Sequence, residues 1–156
     1  MKKLFCLTII LVILTGTNSL PFRGTDVGKL HPIEVLYVEW VEGQCEISTD
    51  TGITGRGRTV EEAAADLHRV TPGYVFLETA NYLLLSSQTE TAPEDFWPFV
   101  RPACLLYLCD EKPKLESVAD YLKSHLSEVT LLDWRNGENM FPRLLQEGEI
   151  VRLYES

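Results

Sequence analysis

Gly55–Ser87 reads GRGRTVEEAAADLHRVTPGYVFLETANYLLLSS, and the parsing of this stretch decides the fold. Val60, Ala63, Ala64, Leu67 and Val70 recur at helical spacing. Thr59 stands just ahead of them with Glu62 three residues on. That is a capping box, in which hydroxyl and carboxylate each take an orphan N–H of the first turn. Thr71-Pro72-Gly73 stops the helix, since proline removes a donor and glycine tolerates a turn. Tyr74–Glu78 and Tyr82–Ser86 then read as short strands. Helix followed by a strand pair is the packing unit of a small α/β domain.

Working outward toward the N-terminus, Ile33–Val41 reads IEVLYVEWV. Val35, Tyr37, Glu39 and Val41 fall on one face of a strand, and Leu36, Val38 and Trp40 on the other. Glu42-Gly43 is a tight turn, Gln44–Asp50 returns as a second strand, and Ile53–Arg58 extends it after a break at Thr51-Gly52. Toward the C-terminus, Thr91 and Glu94 form a second capping box for a helix ending near Arg101, with Phe96, Trp97, Phe99 and Val100 as its apolar positions. Cys104–Cys109, CLLYLC, reads as a strand covered on both faces. Lys112-Pro113-Lys114 opens a helix with the stripe Leu115, Val118, Ala119, Leu122 and Leu126. Val129–Trp134 reads as a strand or extended run, Met140–Leu145 as one or two helical turns, and Glu149–Tyr154 as a last strand. The order β-β-α-β-β-α-β-α-β-α-β predicts an α/β (α+β) fold, a single domain with a mixed β-sheet covered by helices. One core is expected around Val38, Leu67, Phe76, Leu84, Leu106 and Leu122.

The chain has 156 residues, enough for one domain after an N-terminal leader. Met1-Lys2-Lys3 is a basic start, Leu4–Leu14 is almost wholly apolar, and Thr17-Asn18-Ser19 offers small residues for cleavage. Residues 1–19 therefore read as a signal peptide, too short an apolar run for a spanning helix. Residues 20–32 read as a linker and 33–156 as the domain, exported to the extracellular space or the cell envelope. The net charge is −9 and grows more negative once Lys2 and Lys3 leave. Such a chain does not suit nucleic acid, whose phosphates need a positive patch, nor broad attachment to anionic lipid.

Cys6 lies in the leader, which leaves Cys45, Cys104 and Cys109. One disulfide with a free thiol and three buried thiols both fit that count. Cys104 and Cys109, five apart on a strand, face opposite sides and do not pair with each other. His31, His68 and His125 complete the set of soft ligands, but no C-x-x-C or H-E-x-x-H spacing links them, so no metal site and no cofactor are expected. A thiol nucleophile would need Cys104 or Cys109 beside His68 or His125, and no G-x-S-x-G elbow is present. Gly52, Gly55 and Gly57 precede a helix, as in a phosphate loop, but the Lys and Ser/Thr of a P-loop are wrong and Glu61 and Glu62 occupy the first turn. Strand geometry is the commoner use of such glycines. The pairs Glu61–Glu62 and Asp110–Glu111 are sequence neighbours that point apart, which does not suit a paired acid and base. No catalytic residue is assigned. Trp40, Trp97 and Phe99 are the apolar residues that would mark a contact surface if they reach solvent.

Gly55-x-Gly57-x-Thr59-Val60-x-Glu62-Ala63, then Leu67, Tyr74-x-Phe76 and Leu83-Leu84-Leu85-Ser86, resembles the N-terminal domain of the Ger(x)C proteins, lipoprotein subunits of bacterial spore germinant receptors. Asp110-Glu111-Lys112-Pro113 and the helix after it look like the continuation of that domain, and Leu14-Thr15-Gly16 looks like its lipobox. Thr17 stands where the lipid-bearing cysteine would be, so no direct lipid anchor is expected. The resemblance implies a noncatalytic envelope or spore-associated accessory domain in germinant receptor assembly, with a membrane-associated protein as partner. The alternatives are a small secreted enzyme with a Cys–His site and a structural domain that only self-associates, an open sheet edge being one place for contact.

Overall fold

The computed structural model describes residues 30–88, 92–125, 129–137, 141–147 and 150–154. The leader, most of the 20–32 linker, the Thr91 cap, Leu126 and Met140 lie outside the described residues. Among the described residues there are nine strands: β1 (Leu30–Pro32), β2 (Val35–Val41), β3 (Gln44–Thr49), β4 (Thr54–Gly57), β5 (Tyr74–Phe76), β6 (Tyr82–Ser86), β7 (Leu105–Cys109), β8 (Arg143–Glu147) and β9 (Ile150–Tyr154). Three α-helices accompany them among the same residues: α1 (Val60–Val70), α2 (Leu115–Ser124) and α3 (Leu131–Arg135). Seven strands form one sheet in the order β4–β3–β2–β6–β7–β8–β9. The inner four run parallel, and antiparallel partners close both flanks. The protein is a single domain with a mixed β-sheet flanked by helices. β1 pairs in parallel with β5 in a separate ladder, so Leu30–Pro32, within the stretch read as linker, belongs to the fold.

Glu42 (φ 52°) and Gly43 (φ 78°) both take the left-handed conformation at the β2–β3 turn. That geometry matches the twist of a two-residue hairpin. α1 begins where expected. Thr59 Oγ1 accepts from the Glu62 N–H at 3.1 Å. The reciprocal bond is shifted by one residue: the Glu62 carboxylate accepts from Arg58 N at 2.8 Å. Replacing Thr59 by Ala is expected to cost about 1 kcal/mol, the worth of an N-cap hydroxyl. Urea unfolding measures it, and an unchanged midpoint would place the cap elsewhere. At the other end Thr71 Oγ1 donates to the Leu67 carbonyl at 2.7 Å, satisfying one of the terminal acceptors.

Gly55 and Gly57 let α1 lie directly on β4. A Cβ on Gly55 would meet the Ala63 carbonyl and sit 2.7 Å from Leu67 Cγ, and one on Gly57 would meet the Ala63 amide. The β4 edge is also closed. Its Arg56 N–H donates to Asp66 at 3.0 Å, next to the Arg58–Glu62 bond, so two carboxylates one helical turn apart cap the strand's free amides. These are the glycines a phosphate reading would use, and here they serve helix–strand contact.

The strands alternate between two cores rather than one. Leu36, Val38, Cys45, Ile47, Leu83, Leu85 and Leu106 join Val60, Ala63, Ala64 and Leu67 of α1, Phe96, Val100 and Leu131 on the first face. Val35, Tyr37, Tyr82, Leu84, Tyr107, Cys109 and Leu144 meet Leu115, Val118, Ala119 and Leu122 of α2 on the second. Of the six residues expected at a single centre, Val38, Leu67 and Leu106 lie in the first core and Leu84 and Leu122 in the second, while Phe76 is only half-buried.

Five segments depart from the sequence reading. The strand expected over Tyr74–Glu78 stops at Phe76, Leu77–Thr79 is a 3-10 turn, and β5 pairs with β1 rather than with β6. Ile53–Arg58, expected to extend the second strand, instead folds back as the separate antiparallel strand β4. The expected helix after Thr91 is a single 3-10 turn at Pro93–Phe96. Trp97 N bonds to Glu94 O and Phe99 N to Phe96 O, but Pro98 has no N–H with which to continue the α pattern. Val129–Trp134, read as extended, contains α3. Thr130 Oγ1 accepts from Asp133 N at 3.2 Å and Asp133 accepts from Thr130 N at 2.9 Å, a capping box that starts the helix. Met140–Leu145, read as helix, leads instead into β8, whose pairing with β7 is extended by the Leu108 N to Pro142 O bond at 3.0 Å.

Candidate functional site

Trp40 and Phe99, two of the three residues expected to mark a contact surface, come together in one groove of about 630 Å³. Trp40 projects from β2 toward the first core, and Phe99 follows the 3-10 turn that the prolines impose. Thr59, Val60 and Glu61 at the start of α1 form one wall, and Glu94, Asp95 and Pro98 another. Trp40, Trp97 and Phe99 are each half-buried against the first core. Trp97 does not enter the groove lining. Its ring lies under the Arg135 guanidinium, 4.6 Å from the centroid, which ties α3 to the Pro93–Val100 segment.

Two features of this groove bear on what it could hold. Trp40 Nε1 is buried and has no hydrogen-bond acceptor, a cost of roughly 1–3 kcal/mol for an amide-like donor. Glu61, Glu94 and Asp95 are exposed and form no ion pair among the described residues. A second groove of about 350 Å³ lies beside β5, lined by His68, Tyr74, Phe76, Leu77 and Glu78, and Phe99 borders this one as well. The rings of His68, Tyr74 and Phe76 form a ladder with centroid spacings of 5.7 and 5.5 Å. Tyr74 is 58 % exposed, the most open large hydrophobic side chain among the described residues.

The opposite sheet face holds a polar cluster near the carboxyl ends of the parallel strands, where ligands of α/β sheets commonly sit. Lys112 Nζ lies 3.1 Å from Glu46 Oε1, 3.6 Å from Glu39 Oε1 and 2.7 Å from Ser48 Oγ, and Arg56 Nε donates to Glu46 at 2.8 Å. Burial pushes the Glu46 carboxyl up, but the bonds from Arg56 and Lys112 outweigh it and hold it below its usual range. Lys112 Nζ donates to Ser48 Oγ and lies between two carboxylates, Glu39 and Glu46. The β-period alternation of Glu39, Glu46 and Ser48 hinted at this face, but nothing in the sequence placed Lys112 over it.

The three thiols are free and buried. Cys45 and Cys104 belong to the first core and Cys109 to the second, so Cys104 and Cys109 do face opposite sides. Burial pushes Cys45 up to about 11 and Cys104 and Cys109 up to about 12. His68 and His125 are exposed, His125 stacked on Tyr121 with centroids 4.2 Å apart. Among the described residues no group of three or more His, Cys, Asp or Glu side chains is arranged to hold a metal ion, and no helix is long and apolar enough to cross a membrane. The outer edge of β9 has no strand partner among the described residues.

Comparison with models of protein families, with curated proteins and with solved structures returns no match. The Ger(x)C resemblance therefore stands on the residues quoted for it alone.

Proposed function

We propose that this chain is a noncatalytic binding domain of the cell envelope, an accessory to a membrane-associated protein, with the Trp40–Phe99 groove as its contact surface. The observation that carries this reading is the groove itself: two aromatic side chains and three carboxylates that form no ion pair among the described residues. The signal-peptide pattern of residues 1–19 supports export, and the germinant-receptor resemblance supports an accessory role. A thiol enzyme is the weaker reading. Burial pushes the Cys104 and Cys109 thiols up, away from the thiolate form a nucleophile needs, and both His68 and His125 are exposed while the thiols are buried.

The test pairs wild-type protein with Phe99→Ala, a substitution at a half-buried position, on envelope extracts from the producing cell. The expected result is one membrane-associated protein retained by wild type and lost by the variant, at equal circular dichroism, with the interaction reproduced between the two purified proteins. Capture that is indifferent to Phe99→Ala would place the contact surface elsewhere. Rapid alkylation of Cys104 or Cys109 in the folded state at neutral pH would revive the thiol reading.

A further inference from the structure

The two grooves share Phe99, and α1 runs beside both. The first groove takes Thr59, Val60 and Glu61 from the start of the helix, and the second takes His68 from its last turn. Eleven residues of helix span about 16 Å at 1.5 Å per residue. An extended chain covers that distance in about five residues. Phe99 thus lies between the Trp40 groove and the Phe76–Tyr74–His68 ladder, lining both grooves.

The charge along the two grooves is one-sided. Glu61, Glu94 and Asp95 line the Trp40 end and Glu78 the other, and none makes an ion pair among the described residues. The start of α1 contributes about half a positive charge at the first groove, too little to offset three carboxylates. An anionic occupant is disfavoured there. An aromatic wall beside unpaired carboxylates suits a guanidinium or ammonium, which gains from ring face and carboxylate together. The chain already uses the first half of that chemistry within itself, at Arg135 over Trp97.

We propose that the two grooves form one track for an extended segment of a partner protein, about five residues long, with an Arg or Lys seated at the Trp40 end. This rests on the reading of the Trp40–Phe99 groove as the contact surface and adds the chemical class of what it holds. Apolar side chains of the segment lie against Phe99 and the Tyr74–Phe76 rings, and the cation lies among Glu61, Glu94 and Asp95.

The Trp40 indole N–H supplies a reporter. In a ¹H–¹⁵N spectrum of the full chain its resonance is assigned through Trp40→Phe, and three pools of blocked heptapeptides are titrated in, randomised except for a central Arg, norleucine or Glu. The expected result is that the Arg pool moves the Trp40 resonance with an apparent affinity roughly tenfold above the norleucine pool, while the Glu pool does not bind. Raising the salt weakens the Arg pool alone. The triple variant Glu61→Gln, Glu94→Gln, Asp95→Asn, all surface changes, brings the Arg pool down to the norleucine level, whereas Phe99→Ala weakens both. Equal binding of the Arg and norleucine pools would overturn the cationic assignment and leave the groove reading intact. No movement of Trp40 with any pool would overturn both. A shift of the same resonance on Arg23→Ala without peptide would make the chain's own lead-in the occupant and overturn the assignment to a partner.

Discussion

Gly55→Val is expected to lower stability by about 3 kcal/mol, at the upper end of what overpacking a filled interface costs. Two effects oppose each other at this position. Valine favours a strand over glycine by up to about 1 kcal/mol, and a sequence-only view would call the change stabilising. The structure reverses the sign, because the new side chain meets the Ala63 carbonyl and Leu67, both fixed in α1. A backbone carbonyl cannot rotate aside as an exposed side chain can, so the helix must lift from β4 and expose part of Ala63, Ala64 and Leu67. Urea unfolding with a circular dichroism readout measures the loss. A midpoint equal to wild type would mean that α1 does not rest on β4 in this register.

Leu67→Ala and Leu122→Ala are each expected to cost about 3 kcal/mol, within the range of roughly 2–5 for fully buried leucines. Both side chains are 0 % exposed. The sharper expectation concerns the pair. Leu67 lies in the α1 core and Leu122 in the α2 core, on opposite faces of the sheet. Their effects should add within about 0.5 kcal/mol, as for residues that share no partner. The cycle is measured by chemical unfolding at low temperature to keep the double variant folded. A coupling above about 1 kcal/mol would mean the cavities communicate through the sheet and that a single core is the better description.

The helix of the central stretch was the most legible part of the sequence because every local signal agreed: apolar spacing, a Thr cap and a Pro-Gly stop. The strand pair after it was not: β5 ends at Phe76 and pairs with β1, while β6 lies in the main sheet. The β2–β3 hairpin was legible for the same reason as the helix, despite the unusual Glu42 at a left-handed position. The errors fall where a short apolar run carries no period. Leu131-Leu132 next to Trp134 fits a strand or one helical turn, and only the Thr130–Asp133 box distinguishes them. Met140–Leu145 reads locally as helix, whereas the strand character of Arg143–Glu147 comes from pairing with Leu108 and Cys109, residues more than thirty positions away. There are two cores rather than one because successive residues of each strand face opposite sides of the sheet, one covered by α1 and the other by α2. At the candidate site, Trp40 and Phe99 were legible as large apolar residues. Their meeting with Glu61, Glu94 and Asp95 was not, since it depends on where Pro98 ends the 3-10 pattern. Trp97 shows the limit of residue type as a guide: equally aromatic, it is occupied by Arg135.

The order of the inner strands bears on how the chain is assembled over time. β2, β6, β7 and β8 appear in sequence in the same order as they lie side by side. Each new strand therefore docks beside the one made before it, and none has to be inserted between two that are already paired. A chain delivered N-terminus first, from a ribosome or through a pore, can lay the sheet down vectorially, with the β2–β3–β4 meander and α1 as a seed that has its outer edge already sealed by Asp66 and Glu62. Growth is then polar, from a closed side toward an advancing one. The advancing edge offers unpaired backbone at each stage, and β9, the antiparallel return of β8, carries that open edge to the far side of the sheet, where it has no strand partner among the described residues.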